Sequence, residues 1–303
     1  MSSRRTFLRS GSGVLATGLL GGVAGCVGLD DLLGGSDDPA TDWVVDPLVL
    51  DANHVSFTSI ALSSVADHAQ HLRTEDWEAM QRSVLDAYDF VRFLPDEVDR
   101  YDRVRSRGGS GAYEVFAADV DGDRIARNLR DREYFSRGEY EEFEVYLDDG
   151  EDRAVAFDDT HLVVTDTDRD PYRMVQDVLD TATGNRDGFR EVDEDFDTLV
   201  GELPSGDQVV AFTRERPEET NAETGTFRNN VASGFSTDVT GEETEMRLVL
   251  VFLDNSDVVE GDVDTWIGTD STFDTIRDVD VETDGRTATV TGTIRTRDYG
   301  ETL

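Results

Sequence analysis

The sequence predicts an α+β fold, with antiparallel sheets and helices packed on one face of them. The strongest signal is a hairpin near the C-terminus. Its strands, Asp278–Thr283 and Arg286–Thr296, flank Asp284-Gly285, a pair typical of a type I′ turn. In the second of these strands apolar residues alternate with threonines, which indicates one buried face and one wet face. Helical segments separate the other strands without a serial strand–helix alternation, which favours antiparallel pairing.

In the first half, a strand is predicted at Val55–Leu62. A helix follows, which is capped by Thr74, runs from Glu75 to about Phe93 and is ended by Pro95. Short apolar runs bounded by turn residues predict further strands. These are Ala112–Val120, Phe143–Leu147, Arg153–Phe157 and Leu162–Asp166. A short helix at Arg124–Phe135 is predicted between the first two of them.

Two helices with clear boundaries follow. Asp170-Pro171 supplies the cap and first residue of one helix, and Gly184 follows its last turn. The other, Asp193–Leu203, carries apolar residues at helical spacing and is stopped by Pro204.

The second half repeats this mixture of short helices and strands. Its predicted elements are a strand at Gln208–Thr213, a helix at Phe227–Phe235, a nearly apolar central strand at Glu245–Leu253, a helix at Asp257–Ile267 and the closing hairpin. The order resembles that of the first half. We therefore predict two similar α+β modules, residues 43–187 and 188–303.

Residues 1–25 have the features of an export signal. Arg4 and Arg5 precede an apolar, glycine-rich run, Gly11–Gly25, which is shorter than the roughly 20 apolar residues that span a bilayer. A twin arginine before such a run is typical of twin-arginine export. The run ends Val23-Ala24-Gly25-Cys26, which resembles the lipobox of secreted lipoproteins. That resemblance implies cleavage before Cys26 and a lipid on its thiol; a plain signal cut at small residues, with Cys26 incidental, is the alternative.

Residues 26–42 are rich in Gly and Asp and contain Pro39. This composition predicts a flexible tether between the lipid and the folded region. Cys26 is the only cysteine, so the mature domain has no disulfide.

The charge composition is extreme. The chain has 67 acidic residues, and all 28 basic residues are arginine, so lysine is absent and the net charge is −39. Three of the arginines and no acid lie in residues 1–25, which leaves −42 for the rest. Molar salt would screen the resulting self-repulsion. Nucleic acid is excluded as a partner because it needs a basic surface.

The absence of lysine, and of any cysteine besides Cys26, excludes several kinds of chemistry. A Walker A loop, a Schiff base and a pyridoxal enzyme all need a lysine. Iron–sulfur clusters, covalent haem and blue copper need thiolates. The sequence therefore predicts no cofactor.

One group of residues has spacing suited to a metal. On a continuous helix, His68, His71 and Glu75 would lie on one face, and three such ligands plus an open position make a catalytic zinc site. No His-Glu-x-x-His motif supports it, and surface histidines are the competing interpretation. A Ser-His-Asp triad stays open because triads assemble in space.

An arginine-rich stretch at Arg100–Arg107 suggests an anion patch at first sight. Its four arginines alternate with the preceding and interleaved acids, so the local charge cancels. Local ion pairing is the favoured interpretation.

Acid excess with no lysine is similar to proteins of salt-loving archaea, and with the signal it resembles haloarchaeal twin-arginine-exported lipoproteins. The resemblance implies a lipid anchor on the outer face of the cytoplasmic membrane, and no activity. We expect a non-catalytic surface protein that binds a protein or small-molecule ligand or associates with the envelope. The alternatives are a metal-dependent hydrolase using His68, His71 and Glu75, and the less favoured solute receptor of a transporter.

Overall fold

Twelve antiparallel strands form one continuous sheet in the computed structural model, which describes residues 39–86, 88, 90–106, 111–150, 152–167 and 169–302. The predicted signal peptide, with Arg4, Arg5 and Cys26, lies outside these residues. The α+β class and the antiparallel pairing predicted from the sequence are confirmed.

The strands are β1 (Val55–Ile60), β2 (Val98–Ser106), β3 (Gly111–Ala118), β4 (Phe135–Tyr140), β5 (Phe143–Leu147), β6 (Arg153–Phe157), β7 (His161–Thr167), β8 (Gln208–Thr213), β9 (Asn230–Val239), β10 (Glu243–Phe252), β11 (Arg277–Asp284) and β12 (Thr287–Arg295). Their order across the sheet is β11-β12-β10-β9-β8-β1-β2-β3-β7-β6-β5-β4. Strands of the two predicted modules thus form two contiguous blocks. Pairing of β1 with β8, from Ser56 opposite Phe212 to Ile60 opposite Gln208, joins the blocks into one sheet. The module boundary at residue 187 stays a prediction.

Eight α-helices lie among the described residues: α1 (Leu62–His68), α2 (Thr74–Leu85), α3 (Gly122–Arg130), α4 (Pro171–Ala182), α5 (Phe189–Val192), α6 (Glu194–Glu202), α7 (Glu260–Thr269) and α8 (Tyr299–Thr302). Within the described part of the chain, none of these helices has the length and apolar character that a membrane crossing requires.

The helices cover both faces of the sheet, which corrects the prediction that they pack on one face. The first face carries Ile60, Tyr101 and Phe116 and is covered by α1, α2, α3, α7 and α8. The second face carries Phe57 and Val115 and is covered by α4, α5 and α6. The one-face prediction was drawn from the C-terminal hairpin. Its strands, β11 and β12, lie at one end of the sheet and do not represent its centre. Even there, Thr287 and Thr289 on the predicted wet face are 6% exposed.

The predicted helix at Phe227–Phe235 is wrong. This segment enters strand β9, which pairs with β8 on one side and β10 on the other. Gly234 and small polar residues make the strand hard to recognise in the sequence. In the structure Gly234 is needed for packing, because a Cβ there would lie 2.7 Å from Leu203 Cδ1. The missing side chain lets the end of α6 approach the sheet.

Two strands had no recognisable pattern in the sequence. Strand β2 is densely charged, and β4 is an exposed edge strand with a bulge between Ser136 and Gly138. The helix predicted to reach Phe93 ends at Leu85. Charged strands and edge strands escape prediction because burial patterning is the main strand signal.

The folded region begins before the predicted tether boundary at Asp42. Pro39–Trp43 forms a 3₁₀ helix in which Ala40 is fully buried. The Tyr113 hydroxyl donates to the Trp43 carbonyl at 2.5 Å and accepts from the Val45 amide at 3.0 Å. Only residues 26–38 of the predicted tether remain outside the described structure.

Candidate functional site

The predicted metal ligands do not share one helix. His68 ends α1, His71 lies in the 3₁₀ turn Ala69–His71, and Glu75 lies in the first turn of α2. Leu72, with an extended backbone at φ −80° and ψ 160°, breaks the helical path between them. The two imidazole centroids are 6.5 Å apart. The expected common helix face is therefore wrong, and in the described residues no three His, Cys, Asp or Glu side chains are grouped to hold a metal ion.

One hydroxyl, histidine and carboxylate do meet, at the β6–β7 turn, but not as a catalytic triad. Thr160 Oγ1 lies 2.9 Å from His161 Nδ1 and 3.0 Å from Asp158 Oδ1. The closest approach of the Asp158 carboxylate to the imidazole, at 3.7 Å, is also to Nδ1. A relay needs the hydroxyl and the carboxylate on opposite ring nitrogens. These contacts instead close the turn.

A cavity of about 480 Å³ forms a groove on the second face. We call it the Arg247 groove. Its lining residues come from the loop after α6 and from four strands: Pro204, Ser205, Gly206, Ser236, Thr237, Asp238, Glu245, Met246, Arg247, Asp278, Thr291, Gly292 and Thr293. The lining combines hydroxyls, carboxylates and one guanidinium.

Arg247 occupies the middle of the groove floor. On β10 it stands directly opposite Ser236 of β9 and Thr291 of β12. Its ion-pair partner, Glu202 Oε2, is 3.8 Å from Nη2, which is beyond hydrogen-bond range. Arg247 Nε is buried and has no hydrogen-bond partner among the described residues. Nε itself is out of reach of a ligand, but the side chain as a whole is 36% exposed, so a ligand in the groove can contact it.

Two carboxylates face each other beside Arg247. Asp238 of β9 and Glu245 of β10 are directly opposite and both exposed. Side chains in such positions lie about 5 Å apart at Cβ, and like charges there are destabilising. Glu245 and Arg247 are two residues apart on the same strand face, a spacing of about 7 Å. The floor thus places a negative pair next to a single positive charge.

The loop after helix α6, Pro204–Gly206, forms one side of the groove. Arg286, in the β11–β12 turn, holds the helix: its Nη2 donates to the Glu194 carbonyl at 3.0 Å and to Thr198 Oγ1 at 2.7 Å, and its Nη1 contacts Asp195. The closing hairpin is therefore tied to the helix that precedes the lining loop.

The N-cap of α6 predicts a pH effect. Asp193 accepts from the Phe196 amide at 2.8 Å, yet burial raises the pKa of its carboxyl above 3.8, partly offset by that hydrogen bond. A raised acid pKa costs stability above the folded-state value, and the cost vanishes as the pH falls below the unfolded value. We expect Asp193→Asn, which retains a cap, to match or exceed the wild type in unfolding free energy at pH 7 and to lose this advantage towards pH 3. Urea titrations at both pH values in molar salt check it; an advantage that grows on acidification would contradict it.

The densely charged strand β2 brings a buried ion pair to the first face. Arg103 Nε lies 2.5 Å from Glu114 Oε1 on β3, and the two side chains are 18% and 8% exposed. Burial, and then Glu114, raises the pKa of Tyr88 and of Tyr101. The sequence predicted that the arginines of Arg100–Arg107 pair with acids nearby in the chain. Arg103 instead pairs with Glu114 on the neighbouring strand. The pair lies on the opposite face from the groove and holds the sheet rather than a ligand.

A smaller hollow of about 340 Å³ is lined mainly by acids of the β4–β5 and β6–β7 turns. It has no guanidinium, so it offers fewer kinds of contact than the Arg247 groove. The groove was missed at the sequence level because its residues come from distant strands, and no local motif marks them.

Comparison with known proteins shows the fold alone. No protein-family model matches the chain, and no curated protein is similar enough in sequence to count as a relative. Crystal form III of TP0453 matches with a TM-score of 0.50 and 10% identity, over 85% of this chain and 97% of that one. Crystal form I matches with a TM-score of 0.50 and 9% identity, over 88% and 96%. At this identity the likeness assigns no residue a role.

Proposed function

We propose that this chain is a lipid-anchored protein on the outer face of the cytoplasmic membrane of a halophile, and that its mature domain is a non-catalytic binding module. The observation that carries the proposal is the order of the N-terminal features. Arg4 and Arg5, the apolar run and Cys26 are followed by residues 27–38, and the fold begins at Pro39. Fully extended, such a connection reaches about 40 Å, so the domain would stay close to the membrane.

The distribution of acids supports a saline habitat. Among the described residues, four acidic residues are buried as whole residues: Asp102, Glu114, Asp177 and Asp207. The other described acids lie at least partly in solvent, where they add to a net charge of −42. Such a surface suits brine, and it disfavours nucleic acid as a partner.

The Arg247 groove supports the binding role. Its donors and acceptors converge from four strands of a sheet that has helices on both faces, so the backbone beneath them is firmly held. A rigid scaffold that presents a few polar groups to one groove suits recognition of a ligand.

Cys26→Ser tests the anchor. In a haloarchaeal host we expect the variant to appear in the medium or to accumulate as an unprocessed precursor, because the serine hydroxyl cannot replace the lipid-accepting thiol. Fractionation and immunoblotting measure the distribution. Ser36→Ala, in the same connection, serves as the matched control and should stay in the membrane fraction.

Arg4→Lys with Arg5→Lys separates export from lipidation. We expect this variant to remain in the cytosol with its signal uncleaved.

Unchanged processing and membrane retention of Cys26→Ser would contradict the proposed anchor.

A further inference from the structure

We propose that the Arg247 groove binds a small zwitterion, a molecule that carries a carboxylate and, a few ångströms away, an ammonium or quaternary amine. This inference rests on the proposed binding function and names the ligand class. It is drawn from the arrangement of charge on the groove floor.

The carboxylate end of the ligand fits Arg247. Arg247 stands between Ser236 and Thr291 in the sheet, its side chain is 36% exposed, and its ion-pair contact with Glu202 is long, at 3.8 Å. A planar guanidinium presents parallel N–H donors that match a carboxylate. The neighbouring hydroxyls can donate to the same carboxylate.

The cationic end fits Asp238 and Glu245. These carboxylates face each other across β9 and β10, and a cation between them would relieve their repulsion. They lie about two residues along the strand from Arg247, roughly 7 Å. A ligand with both charges can therefore contact both ends of the floor at once.

Ligands with one charge fit less well. The lining holds Asp238, Glu245 and Asp278 against the single Arg247, so its net negative charge repels a simple anion. A simple cation would leave the guanidinium unused. None of the lining side chains is aromatic, so a sugar or base would find no ring on which to stack.

Salt does not remove this preference. At 1 M the Debye length is about 3 Å, which screens the distant acids of the surface. Direct contacts in the groove are at comparable distances and are screened much less. Molar salt thus favours a ligand that touches both charges over one attracted from afar.

The test uses three probes that each have four carbons: 4-aminobutyrate with both charges, butyrate with only the carboxylate, and butylammonium with only the amine. Binding to the mature domain is measured by calorimetry in molar KCl. We expect 4-aminobutyrate to bind at least about tenfold more tightly than either singly charged probe, the equivalent of one charge-assisted contact.

Variants assign the contacts. Arg247→Gln and Glu245→Gln should each weaken 4-aminobutyrate binding about tenfold, and Arg247→Gln alone should weaken butyrate. Arg127→Gln on α3 and Glu218→Gln are matched controls, since both residues are exposed and outside the groove lining; they should bind as the wild type does. Circular dichroism establishes that each variant is folded.

Equal affinity for butyrate or for butylammonium, or equal affinity in the groove variants, would overturn the zwitterion. So would failure of all three probes to bind the folded wild type, and that result would leave the lipid anchor standing. Conversely, unchanged membrane retention of Cys26→Ser would contradict the anchor without affecting 4-aminobutyrate binding, so the two failures are distinguishable.

Discussion

Dialysis of the mature domain from molar salt into dilute buffer is expected to unfold it. Outside the predicted signal the chain carries a net charge of −42, and few of its described acids are buried. The Debye length grows from about 3 Å at 1 M to about 30 Å at 0.01 M. Repulsion among the surface acids then acts across the whole domain and favours expanded states.

Circular dichroism and small-angle scattering along a KCl series measure this transition. We expect loss of secondary structure and a larger radius of gyration at low salt. Asp280→Asn with Glu282→Gln removes two exposed charges from edge strand β11 and should move the midpoint to lower salt. A spectrum and radius unchanged from molar to millimolar salt would contradict the expectation.

Glu114→Ala is expected to lower the free energy of unfolding by about 3–5 kcal/mol, because it leaves the buried Arg103 charge without its carboxylate. Urea titration in molar salt measures the change. The matched control is Asp166→Asn, which breaks a 2.8 Å pair with Arg153 whose side chains are 62% and 35% exposed. Exposed pairs contribute about 0–1 kcal/mol, so the control should lie close to the wild type.

Replacing both partners separates burial of charge from packing. Arg103→Met with Glu114→Leu exchanges the pair for apolar groups and should recover most of the loss. A Glu114→Ala variant as stable as the control, or a double variant less stable than Glu114→Ala, would contradict this explanation. Either result would show that Glu114→Ala does not destabilise the fold by leaving the Arg103 charge buried and uncompensated.

Local patterns were enough to predict much of the fold. The strands Phe143–Leu147, Arg153–Phe157 and Gln208–Thr213 agree with the structure to the residue. The helix begun by Asp170-Pro171 also forms as predicted, with Asp170 accepting from the Arg173 amide. In these segments apolar spacing and cap residues give the same answer.

Tertiary context decided the elements that were missed. Strand β9 resembles a helix in sequence, but it is fixed by two neighbouring strands and by the close approach of Leu203 at Gly234. Strand β2 buries charges that a sequence pattern assigns to solvent. The single helix face assumed for His68, His71 and Glu75 is interrupted at Leu72, where the backbone is extended.

The Arg247 groove could not be predicted for a related reason. Ser236, Arg247 and Thr291 become neighbours only through strand pairing, and pairing partners are not visible in one sequence. The lipid anchor differs from the groove in this respect. Its motif is local, so residues 1–26 are enough to predict it and no knowledge of the fold is needed.

The mass of the mature N-terminal peptide tests the account most directly. Protein extracted by detergent from membranes of a haloarchaeal host would be digested with protease and its N-terminal peptide measured by mass spectrometry. We expect a peptide that begins at Cys26 and carries the added mass of a lipid on that residue. A peptide that begins at another residue, or an unmodified Cys26, would contradict the central claim that this domain is held at the cell surface by lipid.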